Sequence, residues 1–339
     1  MRKNVNLPMN KNALKITSMP DDLVEGLFGQ VFLWIFEVLP YLDKRGIMPT
    51  WLIRSKLYGS PEGDYVVIPG LVELNYLPKY LGSDFKDLSL MNLRNRGVVV
   101  LGHDWQYISN LWKKYFRIPQ RIIGRADGFP KLNAALGLHY RGTDKNKALD
   151  ETNYVSEDDF MTLAGDFLES HPKIRTIFIA SDESAFVEKF RARHVDYHIV
   201  SSGQVVHHKE LSGHGELEKG DHAVLDCLLL SRCKYLLKCQ SALSGFAKVL
   251  NPAIEAYRIS ANKLPDWNRE IPYFPDGYLP KYRSKNPKVQ TILDRLFVDD
   301  WTSDRTVYRR FGKKFKYQKR DGGLRMLRRI ARKVLRGGK

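Results

Sequence analysis

The sequence predicts an α/β protein: two α/β domains with a cleft between them, followed by a basic amphipathic C-terminal helix. Three observations predict this. Between about residues 130 and 258, short apolar runs alternate with helical patterns, which implies a parallel sheet with right-handed crossovers. The chain has 339 residues, enough for two domains with a core each. From Trp301 to Lys339 there are fifteen Lys and Arg and two Asp, a net charge of +13, against +4 for the remaining 300 residues.

Taken in order, residues 1–20 read as a loose leader. Leu23 to Leu42 combines Gly26, Gly29 and Gln30 with the dense apolar run Val31 to Leu39. That pattern predicts a glycine-opened turn into a buried helix, ended by Gly46 and Pro49. Trp51–Ile53, Tyr65–Ile68 and Gly97–Leu101 read as strands, with the turn formers Pro61, Gly63, Pro69, Gly70 and Pro78 between the first and the last. Residues 21–128 thus make a smaller α/β domain. In the second domain, 129–300, strands are expected near Ala134–His139, Thr176–Ser181, Tyr197–Ser201, Tyr235–Lys238 and Ile254–Tyr257. Helices are expected near Ser156–Ser170, Ser184–Arg193, Asp221–Arg232 and Leu243–Leu250. No GxGxxG fingerprint follows a strand, so the usual dinucleotide grip is not supported, and there is no internal repeat.

Composition narrows the class. Hydrophobic residues at 43% and aromatics at 12% mark a globular chain. Cys227, Cys233 and Cys239 are odd in number and lack a CxxC pair, which argues against a disulfide framework and against a zinc site. Residues 1–20 hold no continuous apolar core of the signal-peptide kind, and no run of eighteen apolar residues exists to span a membrane. The expected compartment is the cytoplasm.

The most informative stretch is Leu138-His139-Tyr140-Arg141-Gly142-Thr143-Asp144-Lys145. It follows the buried strand and precedes a helix, so His, Arg, Asp and Lys share a loop at a strand's carboxyl end. Ligands bind there in open α/β sheets. Such a loop is either a solvated turn with ion pairs or a phosphate grip, since Arg offers a planar fork for two phosphate oxygens.

HYRGTDK resembles the His-x-Arg-Arg-Thr-Asp-Lys signature of fucosyltransferases that use GDP-fucose, the α-1,6-, nodulation and protein O-fucosyltransferases. Phe178 to Ser184 (FIASDES) is similar to the second block of that superfamily, and Ala223 to Pro252 to the third, in the same order. One departure stands out: Gly142 replaces the second Arg. The resemblance covers about residues 130 to 258. It implies a GT-B-like architecture, two Rossmann-like domains with the acceptor side in 21–128 and the nucleotide sugar in 129–300. It also implies an inverting transfer from GDP-fucose or a related GDP-sugar.

The chemistry of that transfer assigns roles. A leaving diphosphate needs a fixed cation, and Arg141 is the candidate; its alternative is an ion pair with Asp144 or Asp182. No DxD-type pair offers a metal site, since Asp158-Asp159 lies in a helix and Asp299-Asp300 precedes the tail, so no metal cofactor is expected. Ser241 and Ser244 precede or open a helix, whose N-terminus is an anion site, and one of them is expected to cap it. Matching Tyr154–Met161 to the family's aromatic-rich helix start, with a two-residue insertion, places Glu151 at the catalytic carboxylate, with Asp150 as fallback. The alternative is that both are first-turn helix acids. Lys145 orients the base, touches phosphate or is solvated. Asp226 sits among apolar helix residues, where acids are rarely buried unless paired. The resemblance gives it the guanine N1–H and N2–H₂, with His139 nearby; a buried ion pair is the alternative. Asp182 and Glu183 fit the ribose or loop support. His207, His208, His214 and His222 are read as a mobile donor-side loop in preference to a zinc site. Trp34, Trp51, Trp105, Tyr107 and Trp112 belong to the core or stack on sugar rings.

Two readings of other classes remain: a non-catalytic nucleotide- or glycan-binding descendant, and a nucleic-acid binder working through the tail. In the tail, Leu324, Met326, Leu327, Ile330, Ala331, Val334 and Leu335 fall on one half of a helical wheel, and Arg325, Arg328, Arg329, Arg332, Lys333 and Arg336 on the other. Such segregation suits an interfacial helix on an anionic membrane, with Lys313, Lys314 and Lys316 adding to it. The expected partners are a GDP-sugar, a glycan or lipid-linked glycan acceptor, and that membrane surface through residues 313–336.

Overall fold

The computed structural model describes residues 14–17, 28, 33–52, 72–75, 86–89, 104–142, 152–203, 216–263 and 275–300. Among these, a five-stranded parallel sheet is the central feature. Its strands are β6 (Leu136–Tyr140), β7 (Thr176–Ser181), β8 (His198–Ser201), β9 (Tyr235–Lys238) and β10 (Glu255–Arg258). They lie in the order β10-β9-β6-β7-β8. All five residues of β6 are buried, as expected of an apolar run covered on both faces.

Helices α4 (Glu157–Ser170), α5 (Ser184–Arg193), α6 (Glu216–Arg232) and α7 (Ala242–Leu250) make the crossovers. Ser156 caps α4 by accepting the Asp159 N–H at 3.1 Å, the local reason the helix starts there. A further helix, α8 (Pro287–Leu296), has Asn286 as its N-cap and Pro at its start.

The apolar residues divide by face of the sheet. On one face Leu136, Leu138, Tyr140, Ile177 and Ile179 pack with residues of α4, α5 and α8. On the other, Phe178, Ala180, Leu236 and Ala256 join α6 and α7, and the cluster continues without a break into the N-terminal region. There it takes in α1 (Leu33–Asp43), α2 (Trp105–Tyr115) and α3 (Gln120–Asp127). The two clusters thus lie on opposite faces of the central sheet, and one of them includes residues from both sides of position 128.

The N-terminal region holds its own parallel sheet, β2-β1-β4, from Thr50–Leu52, Leu14–Thr17 and Lys86–Ser89. For Leu14–Thr17, the described part of residues 1–20, β1 replaces the reading as a loose leader. Leu14 to Thr17 form the middle strand, paired on both edges. A small antiparallel pair joins β3 (Glu73–Leu74) to β5 (Phe116–Arg117). The expected strands at Tyr65–Ile68 and Gly97–Leu101 lie outside the described residues, as does the basic tail from Trp301. All three cysteines are buried and unbridged. No helix among the described residues is long and apolar enough to cross a membrane.

Candidate functional site

In the strand order, β6 is followed on one side by β7 and on the other by β9. This reversal falls at the carboxyl ends of β6 and β9, the place where doubly wound sheets bind ligands. His139, near the end of β6, is 6% exposed, and its Nδ1 lies 3.0 Å from Ser244 Oγ at the first turn of α7. Arg141 follows one residue beyond the strand and is half-buried. The structure thus brings His139, Arg141, Ser241 and Ser244 to one end of the sheet.

Gly142 comes next, and its N–H donates to Asp182 Oδ1 at 3.0 Å. A Cβ on residue 142 would lie 2.1 Å from Glu183 Oε1. The Glu183 carboxylate therefore stands where a side chain at 142 would be. This is the physical counterpart of the departure from the Arg-Arg pattern: a second Arg at 142 would require the Glu183 side chain to swing aside. Glu183 occupies the N-cap position of α5 without bonding to the helix through its side chain. Burial, then Asp182 and Glu157, push its pKa up.

The start of α7 differs from expectation. Ser241 has the N-cap position, but its hydroxyl makes no capping bond, and the Ser244 hydroxyl turns to His139. The cap is supplied from elsewhere by Asp276. Its Oδ2 accepts the Ser241 N–H at 2.7 Å and its Oδ1 accepts Lys238 Nζ at 2.7 Å. Lys238 is 0% and Asp276 1% exposed. A carboxylate serving a buried ammonium and a helix terminus at once is a stronger acceptor than a serine hydroxyl. Gly245 permits this approach, because a Cβ there would meet Pro275 Cγ at 2.3 Å and Asp276 Oδ1 at 2.6 Å.

Asp226 lies on α6, 7% exposed, between buried Leu225 and Cys227. Its Oδ1 is buried without a hydrogen-bond partner. Burial pushes its pKa up to about 7, opposed by a hydrogen bond from Ser202 and the charge of Arg125. Ser202 directly follows β8, so the carboxylate sits near the carboxyl end of the sheet.

His222 corrects the loop reading. It is inside α6, 4% exposed, with both ring nitrogens close to Arg125 Nη2, at 3.1 and 3.0 Å. Burial and then Arg125 hold its pKa down. His207, His208 and His214 lie outside the described residues, as do Asp144, Lys145, Asp150 and Glu151. The chain returns at Thr152, whose buried hydroxyl donates to Ala261 O at 2.9 Å. Asn153 Nδ2 follows, donating to Leu296 O at 3.1 Å and Val298 O at 2.8 Å.

Other acids are structural. Asp158 and Asp159 lie in the first turn of α4, and Asp159 pairs with Arg295 at 2.7 Å. Asp300 is buried between Arg258 Nη1 at 3.0 Å and Lys281 Nζ at 2.9 Å. Of the aromatic candidates, Trp51 and Trp112 are core, the latter against Phe116 and Phe246. Trp105 is partly buried under Lys248, Tyr107 is 38% exposed, and the Trp34 side chain is outside the described set. Sequence reasoning missed Arg125, Lys238 and Asp276. Lys238 carried a signal, a charge closing the apolar run of β9 beside His139; the other two carried none.

Compared with known proteins, residues 128–242 match the family model of the α-(1,6)-fucosyltransferase N- and catalytic domains. The matched stretch holds the central strands and helices from before β6 to the start of α7, including His139, Arg141, Asp226 and Ser241. No curated protein matches the sequence. The structure is similar to that of NodZ α-1,6-fucosyltransferase soaked with GDP-fucose, with 14% identity over 71% of this chain and 93% of that one and a TM-score of 0.46. It is similar to fucosyltransferase NodZ from Bradyrhizobium, with 13% identity over 71% and 94% and a TM-score of 0.46. For POFUT1 in complex with GDP-fucose the figures are 10% over 72% and 95%, with a TM-score of 0.41.

Proposed function

We propose that this chain is an inverting, metal-independent glycosyltransferase that moves fucose or a related sugar from a GDP-sugar to a glycan hydroxyl. The observation that carries the reading is Asp226, a buried carboxylate with an oxygen awaiting a donor. Leaving such a group unsatisfied costs about 1–3 kcal/mol, a cost that a ligand offering two N–H groups on one edge removes. Guanine is such a ligand.

In this reading the acceptor hydroxyl oxygen attacks the anomeric carbon. The bond from that carbon to the phosphate oxygen breaks, GDP leaves with the electron pair, and the configuration inverts. Glu151 takes the hydroxyl proton, with Asp150 as the substitute base. Arg141 meets the charge that develops on the diphosphate, so the reading assigns no step to a metal ion. His139, Ser241, Ser244 and Asp182 are assigned to the donor, and Asp144 and Lys145 are assigned to it by their place in the HYRGTDK stretch. Glu183, standing in the room of a second Arg, supports a donor sugar related to fucose as readily as fucose itself. Residues 21–128 take the acceptor side of a GT-B-like cleft.

The tail completes the reading. As a helix, residues 324–336 would lie on the inner face of the cell membrane, each basic residue adding about 1 kcal/mol at an anionic surface. The acceptor would then be a lipid-linked glycan of surface polysaccharide or glycolipid synthesis. The full chain is expected to float with anionic but not neutral liposomes, while a chain ending near Asp300 sediments. Equal flotation of the shortened chain removes the tail as anchor. The donor assignment is tested by calorimetric titration with GDP, ADP and UDP, GDP being the tightest.

A further inference from the structure

Helices α3 and α6 run side by side and are clamped at both ends. Arg121 reaches Asp221 through Nη2 at 2.6 Å and Nε at 3.0 Å. Arg232 reaches Asp127 Oδ1 at 2.6 Å and Ala126 O at 2.8 Å. Between the clamps stands Arg125, and it is used differently. It reaches His222 and, among the described residues, no carboxylate within ion-pairing distance. His222 and Asp226 are four residues apart on α6 and so share a face. The exposed Arg125 therefore stands over the helix face in which Asp226 is buried.

That arrangement has a chemical complement. Arg carries five N–H donors and no acceptor, and an ionised carboxylate only accepts. Along one edge of guanine, O6 is an acceptor next to the N1–H and N2–H₂ donors. Adenine has an amino donor at position 6, which would face the guanidinium with like polarity.

We propose that Arg125 is a specificity residue of the nucleotide pocket, donating to guanine O6 while Asp226 accepts from N1–H and N2–H₂, with His222 fixing the guanidinium. The proposal rests on the GDP-sugar reading. A helix-clamping role alone is already supplied by Arg121 and Arg232. His222, held neutral by burial and by Arg125 itself, accepts a hydrogen bond and leaves the other guanidinium donors for a ligand.

The test is calorimetric titration of the full chain with GDP, 6-thio-GDP and ADP. Sulfur at position 6 is a weaker acceptor than oxygen, so the unaltered protein should prefer GDP over 6-thio-GDP several-fold. Arg125→Met should weaken GDP binding by about tenfold or more, the scale of a lost hydrogen bond to a charged group, and bring that preference close to one. Arg125→Lys keeps the charge without the fork and should lose part of it while retaining the fold. Arg121→Met, which cuts a clamp, should keep the preference intact. Equal weakening of GDP and 6-thio-GDP by Arg125→Met, or no weakening, overturns the assignment. An unaltered protein that binds GDP no better than ADP overturns the GDP-sugar reading itself, and Arg125's role with it.

Discussion

Asp276 and Asp226 are both buried on the α6–α7 side of the central sheet, and they are treated in opposite ways. Asp276 has a partner on each oxygen, Lys238 Nζ and the Ser241 N–H, each at 2.7 Å. Asp226 has an oxygen with no hydrogen-bond partner, and burial drives its pKa up. The first is architecture: it ties the 275–278 turn to β9 and to the start of α7. The second carries a stability cost, and on the proposed reading its unpaired oxygen is the one that meets guanine. The difference separates two meanings of a buried charge that a list of buried polar residues would merge.

Removing each acid is the largest way to break the comparison. Asp276→Ala leaves Lys238 buried without its counter-ion and should cost about 3–5 kcal/mol, read as a large fall in Tm or in the denaturant midpoint. Asp226→Asn should leave stability unchanged or raise it, because the charge that burial opposes is gone. Similar losses from both would place Asp226 among the structural acids.

The residues assigned to chemistry sharpen the comparison on the side of Asp226. Arg141→Ala should lower turnover on the order of 10²–10³, and Glu151→Gln roughly 10²–10⁴, with Tm unmoved in both. Steady-state kinetics and a thermal scan of each variant check this. Full activity of Glu151→Gln moves the base to Asp150.

A smaller effect comes from pH. Burial raises the Asp226 carboxyl pKa to about 7 in the folded chain, from an ordinary value of 3.8. The folded state then binds more protons than the unfolded state between those values. Stability should therefore fall as pH rises from about 4 to about 7 on account of this group, and its contribution should level off above. If, as proposed, ionised Asp226 accepts from guanine, GDP affinity should climb over the upper part of the same range. Denaturant melts and GDP titrations between pH 5 and 8 check both trends. Asp226→Asn should remove them, and a pH dependence surviving in that variant assigns it to another group.

The same contrast explains what was legible in the sequence. β7, β9 and α5 lie at the expected residues, because apolar runs bounded by turn formers, and helices between them, are local signals. Asp226 was legible because an acid inside an apolar helix breaks a pattern. β1 was not: Leu14 to Thr17 has two apolar residues, and its parallel partners are supplied by distant Thr50–Leu52 and Lys86–Ser89. α8 was missed although Asn286-Pro287 is a helix-start pair. Asp276 was invisible because nothing near it announces that Lys238, on another element, needs a counter-ion. Arg125 was invisible for the same reason, its setting being made by α6. His222 was misplaced because a histidine near glycines reads as loop until the face it shares with Asp226 is seen.

The central claim is that Asp226 is kept unsatisfied for guanine. Its most direct test is calorimetric titration of the unaltered chain and Asp226→Ala with GDP and ADP. The unaltered chain should bind GDP more tightly than ADP, and Asp226→Ala should bind the two alike while melting at an unchanged or higher temperature. A guanine preference that survives in Asp226→Ala would contradict the account.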